Sequence, residues 1–411
     1  MTDLPISIKQ AESIGRATAD ASRSQINLWH GAVRSGKTIG SLFAFLMRVA
    51  EAPDSGEIVI IGRTRDTVFR NLIAPLQDPA MFGDVAALVT GNRGAPTVNV
   101  LGRRVHVIGS SDVRAEATIR GMTINTSYID EATLVAEDFF SMLVSRHSVP
   151  GAWLGATTNP DSPGHYLKRD YIDRAAEMGH RVFHFELADN RDYLPDGYIE
   201  ALKKQYSGLW YDRFILGQWS MADGIVFDMF NPDRHVVTEL PPMVRTLAVG
   251  IDYGTTNPTR GLLLELGTDD RLYLTAEWAP GQMVDADLSR DLQQWLMRKP
   301  VPEYLFVDPA AASFKLQLHH DGVPRVFNAQ NDVLAGIRTM GSLLATGQLL
   351  IHESCQQLLA ELPEYVWDKK ASEQGKDAVI ALNDHAIDAA RYAVLSSRQL
   401  WEPFLPEVMP S

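Results

Sequence analysis

The sequence predicts an α/β protein of two domains, each with its own β-sheet. Its 411 residues are more than one hydrophobic core usually serves. In the first half, strand-like and helix-like segments alternate, which is typical of a mostly parallel sheet covered by helices on both faces. The second half opens with three strand-like segments joined by short links, which indicates an antiparallel meander within a mixed sheet.

The composition is that of an ordinary globular protein, with 45% apolar and 22% charged residues. A single cysteine, Cys355, excludes an internal disulfide framework and a cysteine-based zinc site. No apolar run approaches the roughly 20 residues that span a bilayer, and the first residues lack the layout of a secretory signal. The net charge of −13 argues against indiscriminate coating of DNA, although local basic patches still allow a DNA enzyme. We expect a cytosolic protein without membrane contact.

A glycine-rich loop in the first half predicts a nucleotide site. The strand-like segment 25–30 runs into the loop 31–38, GAVRSGKT, and an apolar helical stretch follows. Strand, loop and helix in this order form the context in which this motif binds phosphate through backbone N–H groups and the helix N-terminus. Lys37 is expected to reach the β- and γ-phosphates, and the Thr38 hydroxyl to ligate Mg²⁺. The expected ATP-binding residues of the loop are Gly31, Ser35, Gly36, Lys37 and Thr38.

ATP hydrolysis also requires a carboxylate for the metal ion and a base for the attacking water. Asp130 and Glu131 follow the strand-like segment 126–129, and they supply both groups at a strand end. We expect Asp130 to hold Mg²⁺ and Glu131 to polarise the water. Between this pair and the loop, segments 57–62 and 104–109 are further strand candidates.

A third polar position follows the strand-like segment 152–156. Thr157, Thr158 and Asn159 stand there, where ATPases of this type sense the γ-phosphate. A capped turn before Pro160 explains the same residues equally well.

The periodicity lapses between Ser220 and Arg245, where several prolines indicate an irregular connection. We therefore predict four regions along the chain. They are residues 1–225 for the ATPase domain with a closing subdomain near 190–220, 226–243 for a linker, 244–400 for the second domain and 401–411 for a tail.

Carboxylates on three separate elements mark the second domain. Asp252 lies within the apolar strand-like segment 247–254, and Asp308 lies at the end of the strand-like segment 304–309. Asp388 stands near the start of a C-terminal helix. Three carboxylates in this order form the RNase H-like arrangement, which holds two divalent cations about 4 Å apart for phosphodiester cleavage. Ligation by oxygen alone favours Mg²⁺ or Mn²⁺.

The third ligand of this site has an alternative. We favour Asp388, with Asp384 as the second candidate at the helix start. His385 lies three residues before Asp388, on the same helix face, and is expected to be an accessory ligand or a positioning residue. A helix-cap histidine is an equally good interpretation of His385.

Together these motifs resemble those of the large subunits of tailed-bacteriophage terminases. The residues that carry the resemblance are the loop 31–38, the boxes 130–132 and 157–160, and the three later segments 249–254, 307–314 and 384–389. The resemblance covers most of the chain, from residue 10 to residue 392. It implies an ATPase domain of the RecA-like (ASCE) type followed by an RNase H-like nuclease domain.

The resemblance also implies roles that the motifs alone do not. Gln10 matches an upstream glutamine that reads adenine, and Arg34 matches an arginine near the γ-phosphate of its own subunit. Arg120 matches an arginine finger offered to a neighbouring subunit, although an ordinary surface arginine explains it equally well. Segment 210–219 resembles the part that closes the ATPase domain.

The function implied by the family is viral DNA packaging. ATP hydrolysis with Mg²⁺ would move double-stranded DNA into a procapsid, and a nuclease with two Mg²⁺ or Mn²⁺ ions would cleave concatemeric DNA. The implied partners are the portal protein, the small terminase subunit and further copies of the chain in a ring on the portal. The implied location is the host cytoplasm, and not the mature virion.

Two other functions are consistent with parts of the pattern. A DNA helicase or repair translocase would carry a second RecA-like domain, where this sequence has an RNase H-like pattern. A nucleotide-switched assembly protein would carry an inactive nuclease, whereas all three carboxylates are present here.

Overall fold

A computed structural model describes residues 6–19, 25–112, 114–255 and 257–405. The chain divides into two compact units. The first unit comprises the residues up to 199, with Tyr211–Met221 and Glu373–Lys376, and the second unit comprises the rest. Each unit contains one β-sheet.

The first unit is built on an eight-stranded sheet. Its strands are β1 (Gln25–Gly31), β2 (Glu57–Gly62), β3 (Val89–Thr90), β4 (Thr97–Val100), β5 (Arg103–Gly109), β6 (Ile124–Ile129), β7 (Trp153–Thr158) and β8 (Arg181–Phe185). They are ordered β3-β4-β5-β2-β6-β7-β1-β8. All neighbours are parallel except at the β3-β4-β5 edge, which is antiparallel. The parallel-rich sheet predicted for the first half is therefore confirmed.

The α-helices of this half of the chain belong to the first unit, except for their residues Glu200–Trp210, which belong to the second. They are α1 (Ile8–Thr18), α2 (Lys37–Glu51), α3 (Arg65–Val68), α4 (Ala74–Leu76), α5 (Pro79–Phe82), α6 (Ala115–Arg120), α7 (Glu137–Ser145), α8 (Ala175–Met178), α9 (Tyr198–Gln205) and α10 (Gly208–Phe214). In β2, Ile58 and Ile60 belong to one hydrophobic core, and Val59 and Ile61 belong to another. Because neighbouring strand residues point to opposite faces, the two cores lie on opposite sides of the sheet.

The second unit is built on a seven-stranded mixed sheet. Its strands are β9 (Val236–Val237), β10 (Met243–Asp252), β11 (Arg260–Gly267), β12 (Leu272–Trp278), β13 (Tyr304–Val307), β14 (Val326–Asn328) and β15 (Leu349–His352). They are ordered β14-β13-β10-β11-β12-β15-β9. The neighbours β10, β11 and β12 form the antiparallel meander that the sequence predicts, and the other pairs are parallel.

Further α-helices follow in the described residues of the second half. They are α11 (Pro232–His235), α12 (Asp285–Leu296), α13 (Ala312–His320), α14 (Val333–Ala345), α15 (Gln356–Glu361), α16 (Lys369–Glu373), α17 (His385–Ser396) and α18 (Arg398–Trp401). The middle of α17 is almost entirely buried, and its small residues Ala389, Ala390 and Ala393 have no exposed surface. None of the helices in the described ranges is both long and apolar enough to cross a membrane.

The region predicted as a linker, 226–243, and the first residues of the predicted tail have structure in the second unit. Phe227 is buried in the main core of this unit, and Val236–Val237 pairs with β15. Trp401 is also fully buried in that core. Residues 406–411, the rest of the predicted tail, lie outside the described residues.

Candidate active sites

The glycine-rich loop connects β1 to α2 at the carboxyl end of the first sheet. Gly36 precedes the helix with φ +82°, a left-handed conformation that suits glycine. The side chain of Ser35 is buried and donates a hydrogen bond to the carbonyl oxygen of Ala32 (2.8 Å). The loop is therefore held in shape by its own backbone and side chains, with the N-terminus of α2 directly behind it.

Lys37 is buried inside this loop. Its Nζ donates to the carbonyl oxygen of Ala32 (3.0 Å) and to Oδ1 of Asn159 (2.6 Å). Burial lowers the pKa of Lys37 to about 8, and the nearby Asp130 and Glu131 oppose this shift. The structure thus brings four of the predicted residues together: the loop lysine, both carboxylates and the polar residue after β7.

The two carboxylates follow β6, as the sequence predicts. Asp130 is buried, and its Oδ1 accepts a hydrogen bond from the Thr157 hydroxyl (2.9 Å). Glu131 has a positive φ of 51°, so the backbone turns sharply directly after Asp130. The Thr158 hydroxyl lies 2.8 Å from that of Thr133, which connects the end of β7 to the turn after Glu131.

Asn71 is a residue of this site that sequence analysis did not identify. Its Nδ2 donates to Oδ2 of Asp130 (3.1 Å), so Asp130 is held on both of its oxygens. Asn71 lies in a π-helical turn, Phe69–Ile73, a local irregularity that often occurs at functional sites. Nothing in the sequence around Asn71 signals this contact, because a π-helical turn has no simple residue pattern.

We expect Asn71→Ala to lower ATP turnover about tenfold or more, because a group that orients a metal-binding carboxylate typically has an effect of this size. The measurement is steady-state ATP hydrolysis by the full chain. Asn99→Ala is the matched control, since Asn99 is exposed and bonds only the backbone N–H of Gly102 among the contacts described. Equal turnover in Asn71→Ala and the wild type would contradict a positioning role.

The residues assigned by family resemblance lie at different distances from the loop. Gln10 is buried beside it and donates from Nε2 to the carbonyl oxygen of Gly36 (2.7 Å), while its Oε1 accepts from the backbone N–H of Ser7. Arg34 is an exposed loop residue with φ +53°. Arg120 ends α6 with a side chain 69% exposed, paired to Glu116 at 2.6 Å. Their proposed roles in adenine recognition and catalysis stay predictions.

The second site forms where α17 crosses β10. A Cβ atom on Gly250 would collide with the backbone of Ala389 and Ala393, so glycine allows the helix to lie directly on the strand. This close approach places the helix side chains His385 and Asp388 next to Asp252, which ends β10. The Nδ1 atom of His385 lies 2.9 Å from Oδ2 of Asp252.

The carboxylates of this site lie close enough to repel one another. The pKa of Asp252 is raised to about 6, chiefly by burial and also by the charges of Asp388 and Asp308, against the His385 hydrogen bond, which lowers it. Burial also raises the pKa of Asp388 above its usual range, against the effect of Arg391. The fully buried Arg391 donates to Oδ1 of Asp388 from Nη2 (2.7 Å) and Nε (3.1 Å). Asp388 is therefore the helix carboxylate that interacts with Asp252.

Asp308 and Asp384 lie on the border of the site. Asp308 follows β13, the parallel neighbour of β10, and its backbone N–H bonds the carbonyl oxygen of Ile251 (3.0 Å). Asp384 occupies the cap position of α17, but its side chain makes no capping hydrogen bond. Tyr392, one turn after Asp388, was not identified from the sequence. Burial and the charges of Asp388, Asp308 and Asp252 all raise the pKa of Tyr392, so its hydroxyl lies near enough to feel the whole set.

The donor set fits a divalent cation by its chemistry. Within the described ranges, no three His, Cys, Asp or Glu side chains converge as a preformed metal site. Asp252 and Asp388 are each engaged by a neighbouring nitrogen side chain, His385 and Arg391 respectively. The mutual repulsion of three carboxylates nevertheless leaves negative charge that a hard, oxygen-binding cation such as Mg²⁺ or Mn²⁺ would neutralise.

Comparisons with known proteins agree with this arrangement. Residues 29–232 match the family described as terminase large subunit, T4likevirus-type, N-terminal, and residues 249–397 match the terminase RNaseH-like domain. The large terminase of a thermophilic bacteriophage has a similar structure, with a TM-score of 0.85 and 30% identity over 97% of this chain and 100% of that one. The structure of the same phage protein in complex with ADP matches with a TM-score of 0.83 and 32% identity over 94% and 98% of the two chains.

A curated sequence relative is more distant. The large terminase subunit of Escherichia phage T5 is 28% identical over 211 residues, which are 48% of this chain and 48% of that protein. The chain therefore aligns with about half the length of this relative.

The fold and the two sites define a two-domain protein with a P-loop nucleotide site and an RNase H-like nuclease domain. Both domain families match, and the thermophilic-phage terminase, at 30% identity, is covered over its whole length. The chain therefore belongs to the family of phage terminase large subunits, as its motifs indicate.

Proposed function

We propose that this chain is the motor and the nuclease of a viral DNA-packaging machine. It hydrolyses ATP to move double-stranded DNA into a procapsid and cleaves concatemeric DNA. The observation that carries the proposal is that one chain contains a buried loop lysine beside two carboxylates and, in a separate unit, three mutually repelling carboxylates. The thermophilic-phage relative has been solved with ADP and with ATP-γ-S, which supports nucleotide binding by the first unit.

The residues of the first site have complementary roles in hydrolysis. When phosphates enter the loop, Lys37 exchanges its contacts with Ala32 and Asn159 for phosphate oxygens. Asn159 then loses its hydrogen bond from Lys37, so the contacts of Asn159 depend on whether the γ-phosphate is bound. Thr38 and Asp130 would hold Mg²⁺, which neutralises phosphate charge when bound. Glu131 orients the attacking water from the turn that the Thr133–Thr158 contact holds in place.

The residues of the second site would hold the phosphodiester-cleaving ions. Asp252, Asp308 and Asp388 are the proposed ligands, and divalent cations bound there would activate water and stabilise the leaving oxygen. The effect of Asp388 on the pKa of Asp252 supports Asp388 over Asp384 as the third ligand. His385 positions Asp252 through their hydrogen bond and is an accessory ligand.

The proposed assembly is a ring of this chain on the portal protein, recruited to DNA with the small terminase subunit in the host cytoplasm and absent from the mature virion. The exposure of Arg120 supports a role as a finger for a neighbouring subunit, since such a residue must reach out of its own fold. The second sheet mixes parallel and antiparallel strand pairs, which argues against a helicase. The second motor domain of a helicase would require a mostly parallel sheet like that of the first unit.

The experiment that tests this function combines two assays on the full chain. Purified protein is incubated with plasmid DNA and Mn²⁺, and ATP turnover is recorded in parallel. Plasmid cleavage together with ATPase supports the proposal, and protection of DNA from added nuclease by procapsids with ATP tests packaging itself. ATPase without cleavage at any Mn²⁺ concentration would favour the nucleotide-switched assembly protein instead.

The pKa of Lys37 predicts a pH dependence of ATP use. Its ammonium group must be charged to bind phosphate, and burial lowers its pKa from 10.5 to about 8 in the free protein. The value of kcat/KM for ATP, which reports groups of the free enzyme, is therefore expected to fall about tenfold per pH unit above pH 8. Bound phosphates restore a high pKa, so kcat is expected to stay level over the same range. A flat kcat/KM up to pH 9.5, with the protein still folded, would contradict this assignment.

A further inference from the structure

Glu361 is a buried carboxylate that the proposed reaction does not use. It is the last residue of α15, and only 8% of it is exposed. Its Oε2 accepts hydrogen bonds from the backbone N–H groups of Ala386 (2.8 Å) and Ile387 (3.0 Å). These groups belong to the first turn of α17, and a helix cannot satisfy them from within.

The cap residue of α17 does not perform this function itself. Asp384 has φ −118° and ψ 12°, and its side chain makes no hydrogen bond to the helix start. A cap side chain normally satisfies one of these N–H groups. Glu361 therefore replaces the local cap from another helix.

Glu361 is itself anchored to the sheet of the second unit. The helix that carries it, α15, begins where Oε2 of Glu277 accepts the backbone N–H of Gln357 (3.0 Å). Glu277 is a residue of β12 with a side chain 5% exposed. Two buried carboxylates thus connect β12 to α15 and α15 to α17, so the start of α17 is fixed relative to the sheet that carries Asp252.

The position of this helix start matters for the second active site. His385 and Asp388 both lie in the first turn of α17, and each must meet Asp252 from the correct side. A shift of one residue would rotate every side chain by about 100° around the helix axis. Gly250 controls the distance between α17 and β10, but sliding and rotation of the helix require a separate constraint.

We propose that Glu361 is a positioning residue of the nuclease site, which fixes the first turn of α17 and thereby holds His385 and Asp388 beside Asp252. This inference rests on the proposed nuclease function. The position of Oε2 of Glu361, and not charge alone, is what fixes the helix start, since this single oxygen accepts both N–H groups.

Two conservative substitutions separate position from charge. Glu361→Asp keeps the carboxyl group but withdraws its oxygens by one methylene, whereas Glu361→Gln keeps an acceptor oxygen in place without an ionisable group. Glu265→Gln is the matched control, because Glu265 is also a buried carboxylate of the second unit and its side chain bonds only the hydroxyls of Thr246 and Thr275 among the contacts described. All three variants are made in the full chain.

Two measurements need no DNA cleavage. The first is hydrogen–deuterium exchange of the Ala386 and Ile387 amides in the metal-free protein. The second is Mn²⁺ binding, followed by the electron paramagnetic resonance signal of free Mn²⁺. For Glu361→Asp we expect exchange of these amides about tenfold faster or more, and Mn²⁺ binding about tenfold weaker or more. For Glu361→Gln and Glu265→Gln we expect both quantities within about threefold of the wild type.

The outcomes distinguish the inference from the proposed function. Wild-type Mn²⁺ binding by Glu361→Asp would overturn the positioning role. Mn²⁺ binding that is weakened in Glu361→Gln as much as in Glu361→Asp would overturn it as well. Either result leaves the nuclease proposal intact if the wild type binds Mn²⁺ and cuts plasmid DNA. If the wild-type protein binds no Mn²⁺, both the positioning role of Glu361 and the proposed nuclease function are overturned.

Discussion

Lys37→Ala is expected to lower ATP turnover at least about 10²–10³-fold, the range seen when a group that stabilises transition-state charge is removed. Lys37 is the only lysine that contacts the loop carbonyl of Ala32 among the described residues, and its ammonium lies between that loop and Asn159. No other cation is held at this position inside the loop by the contacts described. Packaging driven by ATP is expected to stop with hydrolysis.

The same variant is expected to keep its nuclease activity, because Asp252 and its partners belong to the other unit. Plasmid cleavage with Mn²⁺ and without ATP measures this directly. Lys203→Ala is a suitable control, since Lys203 is a surface lysine paired with Glu200 and lies outside both sites. ATP hydrolysis by Lys37→Ala at the wild-type rate would show that the loop is not the nucleotide site.

Asp252→Asn is expected to remove plasmid cleavage by about 10³-fold or more, because a neutral amide is a poor ligand for a hard divalent cation. The amide oxygen can still accept a hydrogen bond from His385, so the surrounding contacts are preserved. ATP turnover is expected to equal that of the wild type. Asp287→Asn is the control for the same chemical change at an exposed site, where Asp287 only pairs with Arg290 on the surface of α12.

In the metal-free protein, Asp252→Asn is expected to raise the stability of the fold although it removes cleavage. The pKa of Asp252 is about 6 when folded and 3.8 in the reference state, so the folded chain binds this proton more tightly. The protonated Asp252 side chain therefore contributes to the stability of the folded chain. This contribution is fully present below pH 3.8 and is lost as the pH rises through 6. At pH 8 the wild type therefore carries a buried charge that Asn does not, and Asp252→Asn is expected to unfold at a higher temperature.

Thermal unfolding of the second unit in the presence of a chelator checks this prediction. The difference between Asp252→Asn and the wild type is expected to shrink as the pH is lowered from 8 towards 4, where Asp252 is protonated. A variant that loses cleavage but is less stable than the wild type at pH 8 would indicate that Asp252 is a structural residue. Loss of cleavage with a gain in stability is the signature of a functional carboxylate.

Much of the fold was predictable from local patterns in the sequence. The segments 57–62 and 304–309 were identified as strands, and the structure has β2 at the first and β13 within the second. The three-stranded meander β10-β11-β12 was also predicted, because short polar links between apolar runs leave few other connections. The regions 226–243 and 401–405 were less predictable, since burial of Phe227 and Trp401 depends on a core formed by distant residues.

The residues of the candidate sites likewise fall into two groups, those that local motifs predict and those that only tertiary contacts identify. The loop lysine, the Asp130–Glu131 pair and the three acidic positions follow from motifs that each occupy a few consecutive residues. Asn71 and Glu361 do not, because their roles arise from contacts with partners 59 and 25 residues away. Tyr392 likewise lies near the acidic set only because α17 lies across β10.

By itself the sequence determined the two-domain α/β architecture, the residue types of both sites and the family, since these depend on short-range periodicity and on compact motifs. Only the tertiary structure decided which side chains meet. It paired His385 with Asp252 across 133 residues and placed Glu361 at the start of α17. The physical reason is that hydrogen bonds and charge repulsion act over a few ångströms in space, and those distances are set by packing of elements far apart in the chain.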